Sequence, residues 1–342
     1  MSAIPLSAAD PMPAPAFDYR APWWLPGGHL QTIWSSLFSR SHDGAPPRFR
    51  RERWTTPDRD FIDVDFLADA PGADPKRPLL VLFHGLEGSS TSGYAQAFAC
   101  LARERGWAYA VPHFRGCSGE LNLGPRAYHS GDFEEIDWIL ERLRERRGGP
   151  VHAVGISLGG NMLLRWAEEL GDGAARTADA IAAVCSPVDL GAGGRAISRG
   201  FGRHSYTRMF LATMKPKALA KLRQHPGLFD GARLRAARDL REFDDAFTAP
   251  VHGFRGVDDY WTRASSKPRL ADIRIPALVL NARNDPFVPA ASLPGPAEVG
   301  RHVTLWQPDE GGHVGFAQGG PPRGVAMAMP RAVFGWLRGD GG

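Results

Sequence analysis

Six short, mainly apolar runs recur along this chain, at residues 79–83, 108–112, 151–156, 180–185, 277–281 and 303–306. Runs of this kind suit strands buried on both faces, because a sheet covered by helices above and below leaves no face for water. Helical periodicity fills most of the gaps between them, at residues 94–105, 133–146 and 158–170. Alternation of this kind predicts an α/β architecture, a mostly parallel sheet with helices on both faces linked by right-handed crossovers. In the second helical stretch Ile136, Ile139, Leu140 and Leu143 share a face, with Ser130 as the expected N-cap. Ahead of the series, residues 51–55 and 61–67 read as an antiparallel edge pair turning at Pro57-Asp58-Arg59-Asp60, with Phe61, Val64 and Phe66 as its apolar alternation.

The rhythm breaks between Leu190 and about Leu270, where polar, basic, helix-like sequence runs on without a buried strand. This predicts a mainly helical cap inserted between two core strands, so that residues 21–342 form one domain with its cap at about 190–270. The final helix is expected over 330–338, with Pro330 in its first turn and Val333, Phe334 and Leu337 inward. Residues 1–20, rich in Ala and Pro, read as a disordered lead-in without the basic start and apolar block of a signal peptide. The apolar runs are far shorter than the ~20 residues of a membrane span, so a cytoplasmic location is the expectation. Three scattered cysteines, Cys100, Cys117 and Cys185, suggest neither a disulfide framework nor a metal site and are expected to be packing residues.

The net charge of +4 is unevenly spread: residues 191–242 hold twelve Lys or Arg against three acids, a local +9 that leaves the rest of the chain at −5. Solvated helix faces account for this most simply; the alternative is peripheral contact with a membrane surface or an anionic substrate. Nucleic acid is not expected as a partner, since no recognition motif accompanies the charge. Nothing in the sequence speaks to oligomeric state.

After the third apolar run comes Gly155-Ile156-Ser157-Leu158-Gly159, a Gly-x-Ser-x-Gly frame between strand and helix. A turn that tight strains the serine backbone and leaves no room for side chains two residues to either side, so the frame reads as a nucleophile elbow presenting Ser157. Partners belong on loops leaving the carboxyl ends of other strands. Asp285 sits at the apex of the loop after residues 277–281, and His313 in a glycine-rich loop after 303–306. A serine hydroxyl needs an imidazole to take and return its proton, and the imidazole needs a carboxylate to fix its tautomer. The order Ser, Asp, His matches that chemistry, with Asp189 as the alternative acid. His302 is a poorer base, because it starts a strand. Oxyanion donors are expected at the backbone N–H groups of Leu158 and of Leu86, the latter in His84-Gly85-Leu86-Glu87-Gly88, where His84 reads as structural. His29 and His129 read as scaffold in polar turns. No metal or other cofactor is implied.

Together with Gly28-His29-Leu30-Gln31-Thr32-Ile33-Trp34, Phe114-Arg115-Gly116-Cys117-Ser118-Gly119-Glu120, Tyr128-His129-Ser130-Gly131-Asp132 and Ala282-Arg283-Asn284-Asp285-Pro286-Phe287, these motifs make the chain resemble the YheT-like branch of the α/β-hydrolases, over about residues 22–337. That branch is similar to the abhydrolase-domain phospholipases and the fungal medium-chain ester synthases. The resemblance implies hydrolysis of carboxylic esters, or acyl transfer to an alcohol, by Ser157, Asp285 and His313. Such proteins often carry two aspartates at the acid position; Asn284 takes the first place here. The expected activity is a serine carboxylesterase or acylglycerol lipase acting on short- to medium-chain esters, with ester synthesis as the alternative and a non-catalytic receptor on the same scaffold as a weaker one.

Overall fold

The computed structural model describes residues 17–38, 45–68, 76–321 and 324–339. Its strands are β1 (Phe49–Thr55), β2 (Phe61–Leu67), β3 (Leu79–Phe83), β4 (Ala108–Pro112), β5 (Val151–Ile156), β6 (Ala180–Val184), β7 (Ala277–Leu280) and β8 (Val303–Trp306). They form one sheet in the order β1-β2-β4-β3-β5-β6-β7-β8. The β1–β2 and β2–β4 pairs are antiparallel and every pair from β4 to β8 is parallel. The six apolar runs are thus the six strands of the parallel part.

Helices α1 (Gly27–Leu37), α2 (Gly93–Glu104), α3 (Phe133–Arg146) and α4 (Leu158–Leu170) come first. Between β6 and β7 follow α5 (Leu190–Ile197), α6 (Gly200–His204), α7 (Tyr206–Gln224), α8 (Gly231–Ala236), α9 (Leu240–Phe243), α10 (Ala249–Val251) and α11 (Val257–Ala264); α12 (Ala328–Arg338) closes the chain. Successive strand residues point to opposite faces, so the apolar runs feed two cores. Leu80, Leu82, Val154, Ile156, Leu278 and Leu280 pack with Phe98 of α2 and Val333 and Phe334 of α12. Val81, Phe83, Ala153, Ile181 and Val279 pack with Ile136, Ile139, Leu140 and Leu143 of α3 and with Leu163 and Trp166 of α4. Among the described residues no helix is long and apolar enough to cross a membrane, and the three cysteines are free and buried.

Several local expectations are corrected. Phe61 and Val64 lie on opposite faces of β2, because a strand has period two; Ile62 and Val64 pack into the core with Trp54. The other face of β2 buries Asp63 and Asp65, which Arg53 and Arg51 hold at 2.9 and 2.7 Å. Ser130 does not cap α3, which starts after Asp132. Its hydroxyl accepts from Asn161 Nδ2 at 3.0 Å, and its N–H donates to Tyr260 Oη at 2.9 Å. His29 stands in α1 rather than in a turn. Residues 1–16 of the expected lead-in lie outside the described residues, but Phe17 and Tyr19 pack onto Phe316, and Tyr19 donates to the carbonyl of Ala317 at 2.7 Å. Two aromatic rings supply the apolar area that the Ala/Pro stretch before them lacks.

The Arg-Gly-Cys-Ser-Gly stretch holds a buried ion cluster. Arg115 donates to Glu135 at 2.6 Å, to Asp58 at 2.7 Å and to Asp60 at 3.0 Å, and Arg115, Asp60 and Glu135 are all buried. Removing the guanidinium leaves the buried Glu135 and Asp60 carboxylates without the cation they pair with. Arg115→Leu is expected to lower unfolding free energy by about 3–5 kcal/mol, read from urea denaturation midpoints; a loss below about 1 kcal/mol would mean the cluster is solvated.

Candidate active site

Ser157 joins β5 to α4 with φ 53°, in the left-handed region that non-glycine residues rarely enter. Its N–H donates to the carbonyl of Val184 in β6 at 2.8 Å, which pins the turn to the neighbouring strand. The flanking glycines are sterically required. A Cβ on Gly155 would stand 2.4 Å from the Gly159 carbonyl oxygen, and one on Gly159 would stand 2.5 Å from the carbonyls of Phe83 and His84.

The loops after β7 and β8 bring Asp285 and His313 to this turn. Ser157 Oγ lies 3.0 Å from His313 Nε2, and His313 Nδ1 lies 2.8 Å from Asp285 Oδ2. The other carboxylate oxygen accepts from the N–H groups of Phe287 at 2.7 Å and Val288 at 3.3 Å. Asp285 is therefore held at both oxygens, and its side chain is shut away from water. Phe287 lies against the imidazole, ring centres 4.2 Å apart. Asp189 is elsewhere engaged: it caps α5, accepting from Ala192 N–H at 2.8 Å. His302 is bonded to Arg301.

Gln31, Thr32 and Asn284 had no assigned role in the sequence, yet they tie these loops together. Gln31, buried in α1, accepts at Oε1 from Asn284 Nδ2 at 3.0 Å and from Gly311 N–H at 2.9 Å. Asn284 Oδ1 accepts from Gly312 N–H at 2.9 Å. Thr32 Oγ1 donates to the Gly28 carbonyl and accepts from His313 N–H at 2.8 Å. One helix near the start of the chain thus fixes the spacing of the acid loop and the base loop. The available signal was a specific His-Leu-Gln-Thr stretch that places two polar residues on a helix. Asn284 also acquires a reason: a carboxylate there could not donate to Gln31.

Leu86 and Leu158 both line a space that opens at Ser157, and Leu86 lines a second one as well. Among the described residues neither N–H has an acceptor, whereas their neighbours are committed: Gly85 N–H donates to Tyr94 Oη at 3.0 Å and Glu87 N–H to Tyr128 Oη at 3.2 Å. Glu87, at φ 58°, is bonded by Tyr128 Oη and paired with Lys217 of α7 at 2.8 Å, which ties the loop to the helical segment above it. His84 is fully buried; Nδ1 donates to the Gly85 carbonyl at 2.8 Å and Nε2 accepts from Phe114 N–H at 3.1 Å.

Burial holds the His84 imidazole neutral, its pKa down at about 3. The unfolded chain takes up a proton near pH 6.5 that the folded chain refuses until about pH 3, so stability is full above the first value and lost as pH falls toward the second. The expected slope from this group is about 1.4 kcal/mol per pH unit. Urea midpoints measured across this range should fall less steeply in His84→Gln; an unchanged slope would assign the acid sensitivity to other groups.

Two spaces open from Ser157. A chamber of about 110 Å³ lies under the helices between β6 and β7, walled by Leu190, Ile197, Phe210, Met214 and Trp261. A wider groove of about 470 Å³ runs out between α1 and α7, past Ile33, Leu37, Tyr206 and Met209. Cys185, Asp285 and His313 each bring a possible metal-binding atom within 4.8 Å of the others. These atoms are already engaged: Asp285 and His313 bond each other, and Cys185 Sγ accepts from Val314 N–H at 3.2 Å. Burial raises the Cys185 thiol well above its usual pKa, keeping it protonated and a poor ligand.

Residues 78–320 match the family described as alpha/beta hydrolase fold. The "Putative esterase YheT" of Escherichia coli is 40% identical over 312 residues, covering 90% of this chain and 89% of that protein. The phospholipase ABHD3 of Mus musculus is 31% identical, covering 81% of this chain and 69% of its own. Among solved structures, Est1E from Butyrivibrio proteoclasticus with ferulic acid bound superposes with a TM-score of 0.54 at 14% identity, over 84% of this chain and 98% of that one, a likeness of fold.

Proposed function

Since this chain belongs to the alpha/beta hydrolase fold family, in its YheT-like branch, we propose that it is an esterase that cleaves short- to medium-chain acyl esters or glycerides through an acyl-enzyme on Ser157. The observation that carries this reading is the unbroken line from Asp285 Oδ2 through His313 to Ser157 Oγ, at 2.8 and 3.0 Å. Ser157 Oγ attacks the ester carbonyl while its proton passes to His313 Nε2, and the carbonyl electron pair becomes an oxyanion facing the N–H groups of Leu86 and Leu158. Collapse expels the alcohol, which takes the proton from His313. Water then repeats the sequence on the acyl-enzyme, releasing the acid and restoring the serine. Asp285 keeps Nδ1 protonated and stabilises the imidazolium without taking its proton.

The apolar chamber under the helical cap suits the acyl chain, and the groove gives the alcohol its way out. A p-nitrophenyl ester series should show a burst of nitrophenol stoichiometric with enzyme. A fluorophosphonate should add to the Ser157 peptide, identified by mass. Absence of the burst together with labelling elsewhere would remove the reading.

A further inference from the structure

We propose that the mouth of the groove is a docking surface for an anionic lipid bilayer, from which ester substrates enter; the proposal rests on the esterase reading for the nature of the cargo but not for its test. Five large apolar side chains stand exposed on α1, α6 and α7 and at the end of α1, the helices beside this groove: Leu30 at 48%, Leu37 at 68%, Phe38 at 65%, Phe201 at 54% and Met209 at 53%; Leu37 and Met209 line the groove itself. Leu30, Ile33 and Leu37 share one face of α1, being three, four and seven residues apart. Ile33 and Leu37 line the groove from one side and Met209 lines it from α7, in the same wall as Ser157 and His313. Phe201 joins the two helices: its ring centre lies 4.9 Å from that of His29 in α1 and 5.9 Å from that of Tyr206 in α7.

Exposed apolar side chains gathered on neighbouring helices are what interaction sites present and what water otherwise selects against. Its surroundings choose the partner. Arg199, Arg203 and Arg208 are exposed and flank Phe201 and Met209 in sequence, within the segment that carries the local +9. A second copy of the chain would bring like charge against like. An anionic bilayer offers headgroups to the arginines and an acyl phase to the leucines and phenylalanines, the combination by which amphipathic surfaces hold to membranes. The groove then opens directly into the phase that dissolves acyl esters, so the substrate need not cross water to reach Ser157.

The test is co-sedimentation of full-length Ser157→Ala protein with phosphatidylcholine vesicles, with and without phosphatidylglycerol, at low and high salt. Binding is expected with phosphatidylglycerol, to weaken at high salt as surface charge is screened, and to be slight on phosphatidylcholine alone. Arg199→Gln/Arg203→Gln/Arg208→Gln should lower the partition constant about fivefold per charge, roughly a hundredfold together. Leu30→Ser/Phe38→Ser, at residues outside the groove lining, should lower it on the order of tenfold. Each substitution set should keep the circular-dichroism spectrum and melting temperature of the Ser157→Ala parent within a few degrees, showing that it folds. Equal binding to both vesicles, no binding to either, indifference to both substitution sets, or a concentration-dependent dimer abolished by Phe38→Ser would overturn the proposal. Because binding is read without turnover, a missing esterase activity leaves this result intact.

Discussion

Ser157→Ala is expected to lower kcat for ester hydrolysis by about 10⁵–10⁶-fold, with little change in melting temperature. The loss is this large because no other group can form the covalent intermediate; what remains is the acceleration given by oxyanion donors and substrate binding, about 10³–10⁴ over water. Stability should hold, because the turn is fixed through the backbone bond to Val184 and through packing at Gly155 and Gly159, not through the hydroxyl. Alanine at φ 53° bears the same strain that serine does. Turnover of a soluble ester with a circular-dichroism melt on the same sample measures both. Retention of more than a few per cent of wild-type kcat would move the nucleophile to another residue.

Asp285→Asn is expected to cost about 10⁴ in kcat. The amide oxygen can still accept from Phe287 and Val288, so the loop should keep its shape. What changes is the atom offered to His313. An amide N–H in place of Oδ2 requires Nδ1 to be the acceptor, which moves the imidazole proton to Nε2 and leaves no lone pair for the Ser157 hydroxyl. Asp189→Ala separates the two acids. As an N-cap it should cost about 0.5–2 kcal/mol of stability and leave kcat near its wild-type value. If Asp189→Ala proved the more damaging to turnover, the acid would have to be reassigned.

The two kinds of outcome reflect what a sequence carries locally. Strands β3 to β7 are legible because burial on both faces demands mainly apolar runs, while β8, at the sheet edge, is half-buried; the elbow is legible because its turn demands glycine at fixed places. Ser157, Asp285 and His313 follow from the same logic, each on a loop leaving a strand's carboxyl end. The face of β2 opposite Ile62 and Val64 is harder to read, since Asp63 and Asp65 are buried by arginines of the adjacent strand, and only register tells which arginine meets which aspartate. Gln31 is harder still. Its meaning lies in bonds to Asn284 and Gly311, more than two hundred and fifty residues on, where no periodicity or spacing connects them. The apolar rim of the groove likewise arises where α1 meets α6 and α7, and the chamber's size where α5, α7 and α11 close over Ser157, contacts made by tertiary packing and not by any one segment's pattern.

The clamp of Gln31 on the far loops also dictates when the site can exist. A chain made from its N-terminus has α1 in hand long before residues 311–313, and the bond from Gly311 to Gln31 closes a separation of 280 residues. Contacts of such span come late, after the loop-closure entropy has been met by the central strands. The serine turn between β5 and α4 is drawn from local and neighbouring-strand contacts and can form well before that. The hydroxyl therefore waits, without its base, until the last strand is laid down, so that a growing or partly folded chain presents a serine but no hydrolase.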